Sequence, residues 1–176
     1  RLVGSEMCIE TETSYVYDGK VKKPGIVAKN NKGEKITSKD YTVKYASGCK
    51  NVGTYTVKVT FKGDYKGTFT KTFNINPKGT SLSKVKAARK SFSATWKKQS
   101  KQTSGYQVQY STNKKFAKSV KTSTISKNTT VKKTVKKLSA KKTYYVRVRT
   151  YKNVKAGKKT VKLYSGWSKV KAVKTK

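Results

Sequence analysis

Two arginines, Arg147 and Arg149, stand two apart in the run TYYVRVRT at 143–150 and are the side chains best equipped for recognition chemistry. In a strand that spacing sends both guanidiniums to one face and Val146 and Val148 to the other. An outward guanidinium pair can fork onto a phosphate or carboxylate, or lie flat on an aromatic ring. Tyr145 and Tyr151 flank the pair. Groups for proton transfer are scarce: histidine is absent, and the seven acids, Glu6, Glu10, Glu12, Asp18, Glu34, Asp40 and Asp64, all fall in the first 64 positions. General acid–base catalysis needs a positioned His, Asp or Glu, and residues 78–176 contain none. A lysine acting alone needs a carbonyl substrate and a strongly depressed pKa, which nothing in the sequence signals. No catalytic residue and no cofactor is therefore expected, and an enzyme would need partner domains beyond this chain. Asp18, Asp40 and Asp64 each adjoin a Gly or a Tyr in turn sequences, so turn formation is expected of them rather than a calcium site, which needs several converging oxygens. Cys8 and Cys49 are the only cysteines, which excludes a four-cysteine zinc site and a Cys-x-x-Cys redox pair but leaves a single disulfide between them open.

Forty of the forty-four basic residues are lysine. Fourteen basic and seven acidic residues precede residue 78, a net +7, whereas residues 78–176 carry thirty basic residues and no acid, a net +30. Such a field draws polyanions over roughly 8 Å at physiological salt. Nucleic acid, phosphate-containing wall polymers, acidic glycans and anionic membranes all qualify by sign. Lysines also serve as solvated faces that keep strand edges from aggregating. Base readout leans on Arg, Asn and Gln in a groove-entering element, and four arginines with no recognition motif do not support sequence-specific nucleic-acid binding. Non-specific, salt-sensitive adhesion fits better. The candidate contact residues are Lys132, Lys133, Lys136, Lys137, Lys141 and Lys142, and a variant of this reading adds exposed aromatics such as Tyr145, Tyr151 and Trp167. No apolar run approaches the length of a membrane span.

The elements that must carry these side chains announce themselves by a recurring pattern: YTVKY at 41–45, YTVKV at 55–59, YQVQY at 106–110 and YYVRV at 144–148. Each puts Tyr, Val and a third large residue two apart, with Thr, Lys, Gln or Arg between, which is the signature of a half-buried strand. Turn sequences separate them, among them YDGK, NNKGEK, SGCKNVG, KGDYKG, NPKG, QTSG and NVKAGKK. Short alternating strands punctuated at this spacing imply an all-β protein of sandwich type. TVKKTVKKL at 130–138 also fits a basic amphipathic helix through Val131, Val135 and Leu138, but it is two turns long and rich in Thr and Val, so a strand is expected. At FNINPKGTSLSKV, Pro77 cannot continue a central ladder and the acids have stopped, which marks a domain boundary. The expected organisation is a leader at 1–10, non-native or disordered because RLVGSEMCIE shares nothing with the style that follows, a domain at 11–76, a linker at 77–81 and a domain at 82–176. The whole is expected to be a monomeric fragment of a larger chain.

In the second half Trp96 ends SFSATW, GYQVQYS follows after a polar loop, and Leu138 lies six residues before Tyr144 in LSAKKTYYVRVRTY. This arrangement resembles a fibronectin type III domain across residues 80–176. The resemblance implies that Trp96 is the buried Trp of the second strand. It implies that Tyr144 is a tyrosine corner, its hydroxyl reaching backbone near Leu138. SGWS at 165–168 is similar to half of the Trp-Ser-x-Trp-Ser motif of cytokine-receptor fibronectin modules, which implies that Trp167 stacks on Arg147 and Arg149. No Arg-Gly-Asp tripeptide is present.

The first half is similar to the Ig-like repeats of secreted and surface-attached bacterial proteins, on the strength of YDGKVKKP, DYTVKY, NVGTYTVKV, GDYKGT and KTFNI. Together the two resemblances imply two tandem β-sandwich domains, Ig-like then fibronectin type III-like, in an extracellular spacer or accessory adhesion segment. The polyanions nearest such a protein are a cell-wall polyanion, an acidic glycan and extracellular DNA.

Overall fold

The computed structural model describes residues 7–176 and divides into two compact units, Arg1–Asn76 and Pro77–Lys176. The architecture is all-β, and the only described helical element is a 3-10 turn at Ser38–Asp40.

The first unit holds β1 (Met7–Thr11), β2 (Ser14–Val16), β3 (Ile26–Asn30), β4 (Tyr41–Tyr45), β5 (Gly53–Phe61) and β6 (Thr68–Asn76). β1 and β3 pair antiparallel, and a second sheet runs β2-β6-β5-β4, with β2 parallel to β6. β5 shows the cause: in GTYTVKVTF the β-branched Val57 and Val59 are fully buried while Thr56, Lys58 and Thr60 face solvent. Met7, Ile9, Ala28 and Ile36 pack with Val59 and Phe61 in one cluster, and Cys49, Phe73 and Ile75 form another. Both cysteines are free thiols, Cys8 exposed and Cys49 buried.

Two segments differ from the sequence reading. Residues 7–10 of the expected leader are not loose: β1 pairs with β3 from Met7↔Asn30 to Thr11↔Ile26, and its alternate residues Met7 and Ile9 enter the core. The remainder of that leader, residues 1–6, lies outside the described residues. Nor is 77–81 a free linker. Pro77 is buried, the Lys78 carbonyl accepts from Thr150 Oγ1 at 2.8 Å, and the Ser81 carbonyl accepts from the Lys97 N–H at 3.0 Å, so this segment belongs to the second unit.

The second unit contains β7 (Leu82–Ala88), β8 (Ser91–Trp96), β9 (Gly105–Ser111), β10 (Lys121–Ile125), β11 (Lys132–Val135), β12 (Thr143–Ala156), β13 (Lys159–Tyr164) and β14 (Lys171–Lys174). One sheet is β11-β8-β7; the other is β10-β9-β12-β13, with β14 also on β12. The segment with two readings forms strand β11. Phe92, Ala94, Tyr106, Val108, Val146 and Val148 are fully buried between the sheets, closed by Trp96, Leu138 and Tyr144. Gly105 is required where β9 begins, because a Cβ there would overlap the Ile125 carbonyl oxygen and press on the Tyr151 ring.

Candidate functional site

The outer face of the larger sheet of the second unit gathers the two arginines. Register sets Arg147 beside Gln109 and Gln109 beside Thr122 in one row, and Arg149 beside Gln107 and Gln107 beside Thr124 in the next. Each row is closed by hydrogen bonds. Gln109 Oε1 accepts from Arg147 Nε at 2.8 Å and from Nη2, while its Nε2 donates to Thr122 Oγ1 at 3.1 Å. Gln107 Oε1 accepts from Arg149 Nε at 2.9 Å and Nη2 at 2.7 Å, and its Nε2 donates to Thr124 Oγ1 at 3.2 Å.

Rings cover the guanidinium faces. Arg147 lies 4.0 Å from the centroid of Phe116 and 4.5 Å from that of Trp167. Arg149 lies 4.2 Å from Trp167 and 3.8 Å from Tyr164. The result is a five-membered ladder, Phe116, Arg147, Trp167, Arg149, Tyr164. At about 0.5–1 kcal/mol for each exposed cation–π contact, and more when desolvated, its four contacts are worth on the order of 2–4 kcal/mol. Burial pulls both guanidiniums below their ordinary pKa, though they remain cations at neutral pH.

SGWS holds Trp167 in place. β12 pairs with β14 over 143–146 and with β13 over 151–156, and between them its free edge is taken by two serines. Ser168 N–H donates to the Val148 carbonyl at 2.8 Å and its Oγ accepts from Val148 N–H at 3.0 Å. Ser165 treats Thr150 the same way, at 3.1 and 3.0 Å. Three residue steps from Ser165 to Ser168 thus oppose two from Thr150 to Val148, a bulge that lets Trp167 lie across both arginines. At the other end Phe116 adopts φ 55°, in a loop whose Asn113 Oδ1 accepts from Lys115 N–H at 2.9 Å and Ala117 N–H at 3.3 Å.

With its faces on rings and its Nε–Nη2 side on a glutamine oxygen, each arginine has left only the end-on N–H groups of Nη1 and Nη2 to offer an anion. The arrangement braces the sheet. The framework residues sit in the core of the same unit: Trp96 is buried at 5.3 Å from the Tyr106 ring, and Tyr144 Oη accepts from Ser139 N–H at 3.2 Å, one residue after buried Leu138. Tyr145 and Trp167 are half-buried, but Tyr151 is not exposed as the sequence suggested. It is 2% accessible because Tyr164 packs on it from β13 and its Oη reaches the Ile125 carbonyl.

The six candidate lysines do not share one surface. Lys132 and Lys133 alternate along β11, so their side chains leave on opposite faces, whereas Lys136, Lys137, Lys141 and Lys142 are exposed in the connection from β11 to β12. In the first unit Asp18 Oδ1 accepts from Lys20 N–H at 2.9 Å in a turn and Oδ2 pairs with Lys22 at 2.6 Å; Asp40 Oδ2 accepts from Thr37 Oγ1. The Lys22 hydrogen bond holds the Asp18 carboxyl below its ordinary value. No group of three or more His, Cys, Asp or Glu that could hold a metal occurs among the described residues, and no described helix is long and apolar enough to cross a membrane.

Sequence reasoning missed Phe116, Tyr164, Gln107 and Gln109. The glutamines were signalled by QVQ matching the spacing of RVR; Phe116, in a polar loop, gave no signal.

The fibronectin type III domain family matches residues 76–165. No curated protein matches the chain. Among solved structures the chain is similar to a segment of two fibronectin type III domains from chicken tenascin, at 16% identity and TM-score 0.49, covering 96% of this chain and 98% of that one. It is also similar to the FN1-FN3 domains of chicken CNTN1, at 15% identity and TM-score 0.47, covering 94% of this chain and 66% of that one.

Proposed function

The chain belongs to the fibronectin type III domain family, and from that premise we propose that it is a non-catalytic spacer and accessory adhesion segment of a larger bacterial surface or secreted protein. In this reading the first unit is an Ig-like module preceding the fibronectin type III domain. Such domains typically occur in extracellular or cell-surface proteins. The observation that carries the proposal is the ladder: the residues best suited to ligand chemistry, Arg147, Arg149 and Trp167, stack on one another and on Phe116 and Tyr164, and the Nε and Nη2 groups of the arginines are held by Gln107 and Gln109. A segment built to hold its shape uses recognition-grade side chains in this way. The test pairs stability with binding. Trp167→Ala should lower the melting temperature of the second unit and leave retention on heparin, teichoic acid and single-stranded DNA unchanged. Lost retention at an unchanged melting temperature would make the ladder a ligand site and overturn the spacer reading.

A second reading, a low-specificity polyanion- or carbohydrate-binding module, is favoured by the charge of residues 78–176, thirty basic side chains without one carboxylate. It predicts retention that weakens steeply between low and physiological salt, as counterion release requires. Retention no better than that of a shuffled peptide of equal charge would remove it.

A further inference from the structure

A cavity of about 240 Å³ opens at the end of the second unit that holds Tyr144. Its lining comes from three places that only the fold brings together: Tyr110 and Lys121, which are register partners on β9 and β10; Thr112 and Ser119 from the loop between those strands; and Lys137 and Ser139 from the connection between β11 and β12. Leu138 and Tyr144 form the apolar floor.

Donors without acceptors gather here. Lys121 and Lys137 supply ammonium groups in a unit that has no carboxylate side chain to answer them. Tyr110 Oη makes no hydrogen bond among the described residues. Burial, and then the neighbouring Tyr144, push its pKa up, so its phenol stays a neutral O–H donor. Tyr144 Oη accepts from Ser139 N–H and keeps its own proton to give. Thr112, Ser119 and Ser139 add three hydroxyls that can donate or accept.

The walls are fixed in advance. Ser111 Oγ, at the start of the loop, donates to the Lys118 carbonyl at 2.7 Å and accepts from Asn113 N–H at 2.9 Å. Leu138 N–H donates to the Lys90 carbonyl at 2.9 Å, and the Ser139 carbonyl accepts from Thr175 Oγ1 at 2.6 Å. Two lining residues, Ser119 and Lys137, hold positive φ at 53° and 58°, backbone strain of the kind that binding sites retain.

We propose that this cavity binds one oxyanion-bearing sugar residue of an acidic glycan, its carboxylate or ester oxygens between Lys121 and Lys137 and its ring hydroxyls against Ser119, Ser139 and Thr112. The volume admits a single sugar ring. The hydroxyl lining suits a polyol, and the half-buried Tyr110 ring is already engaged in T-shaped contacts with Phe92 and Tyr144, while Tyr144 is only 8% accessible, which disfavours stacking of a base. The inference goes beyond the spacer role and rests on the carbohydrate-binding reading, for which it names a ligand class and a site.

The test is amide chemical-shift titration of the whole chain at physiological salt with glucuronate, glucose 6-sulfate, glucose 6-phosphate, neutral glucose and an oligothymidylate. A sugar anion should shift the amides of Ser119, Lys137 and Ser139, with glucose silent. Lys121→Ser with Lys137→Ser should weaken that binding at least about tenfold, and Tyr110→Phe a few-fold. Lys84→Ser with Lys86→Ser removes equal charge from β7 and should change it less than about twofold. Comparable shifts with neutral glucose, equal losses in the two double variants, tighter binding of the oligothymidylate at the same amides, or no change in Tyr110→Phe would each overturn the proposal.

Discussion

In the first unit Lys22 reaches the Asp18 carboxylate at 2.6 Å and Lys29 reaches Glu10 at 2.9 Å, whereas in the second Arg147 and Arg149 rest on ring faces and glutamine oxygens. The difference follows from composition: residues 78–176 offer no side-chain anion. It teaches that a β-sheet can hold partly buried cations without counterions when neutral acceptors and π-faces are in register with them. The two solutions differ in cost. A surface ion pair contributes little and is screened by salt. A π-stacked, hydrogen-bonded guanidinium is less sensitive to salt, but removing one ring or one acceptor leaves a desolvated charge behind.

Breaking the ladder should produce the largest contrast. Trp167→Ala removes the central ring from both arginines and should cost the second unit about 2–3 kcal/mol, with the first unit unchanged. Tryptophan emission reads this cleanly, because Trp96 and Trp167 both lie in the second unit and Trp96 remains in the variant. Gln107→Leu takes the acceptor from Arg149 and should cost about 1–2 kcal/mol in the same denaturation experiment. A loss confined to the few tenths typical of surface sites would mean that the ring faces alone hold the arginine.

Salt should sharpen the comparison. Raising ionic strength from about 0.01 to 0.15 M shortens the Debye length from roughly 30 to 8 Å. Repulsion among thirty cations then falls, and the melting temperature of the second unit should rise by several degrees, more than that of the first. A fall in the second unit's melting temperature would show that screened attractions outweigh the repulsion.

Alkali acts on buried phenols. The pKa of Tyr110 is raised in the folded unit by burial and then by Tyr144. A raised folded value means the stabilising contribution is complete below the unfolded pKa, near 10, and is lost as pH rises through the folded one. Tyr110→Phe should therefore flatten the fall in stability above about pH 10 while changing it little at pH 7. The smallest effect belongs to the first unit: Glu10→Gln, which breaks the exposed pair with Lys29, should move amide exchange of β1 and β3 by less than about 0.5 kcal/mol.

Much of this was legible in the residues. Alternation at 41–45, 55–59, 106–110 and 144–148 marks four strands, and Leu138 before Tyr144 with Trp96 upstream marks the second core, because these are local patterns of period two or fixed spacing. β1 was hidden: MCIET alternates correctly, but three acidic neighbours, Glu6, Glu10 and Glu12, and an unfamiliar style masked Met7 and Ile9. Three of the ladder's five members, Arg147, Arg149 and Trp167, were legible from RVR and SGWS. Its glutamine acceptors depend on a register between residues 38 and 42 positions apart, and Phe116 depends on a left-handed backbone that its residue type does not favour. The cavity lay further out of reach, since loops from two different strand connections build it.

The central claim is that Arg149 and Trp167 stabilise the fold through each other. A double-mutant cycle with Arg149→Met and Trp167→Leu, followed by denaturant unfolding of the second unit, measures this directly. The account predicts a coupling energy of about 1 kcal/mol or more, little reduced by 0.5 M salt. Additive losses, with coupling near zero, would contradict it.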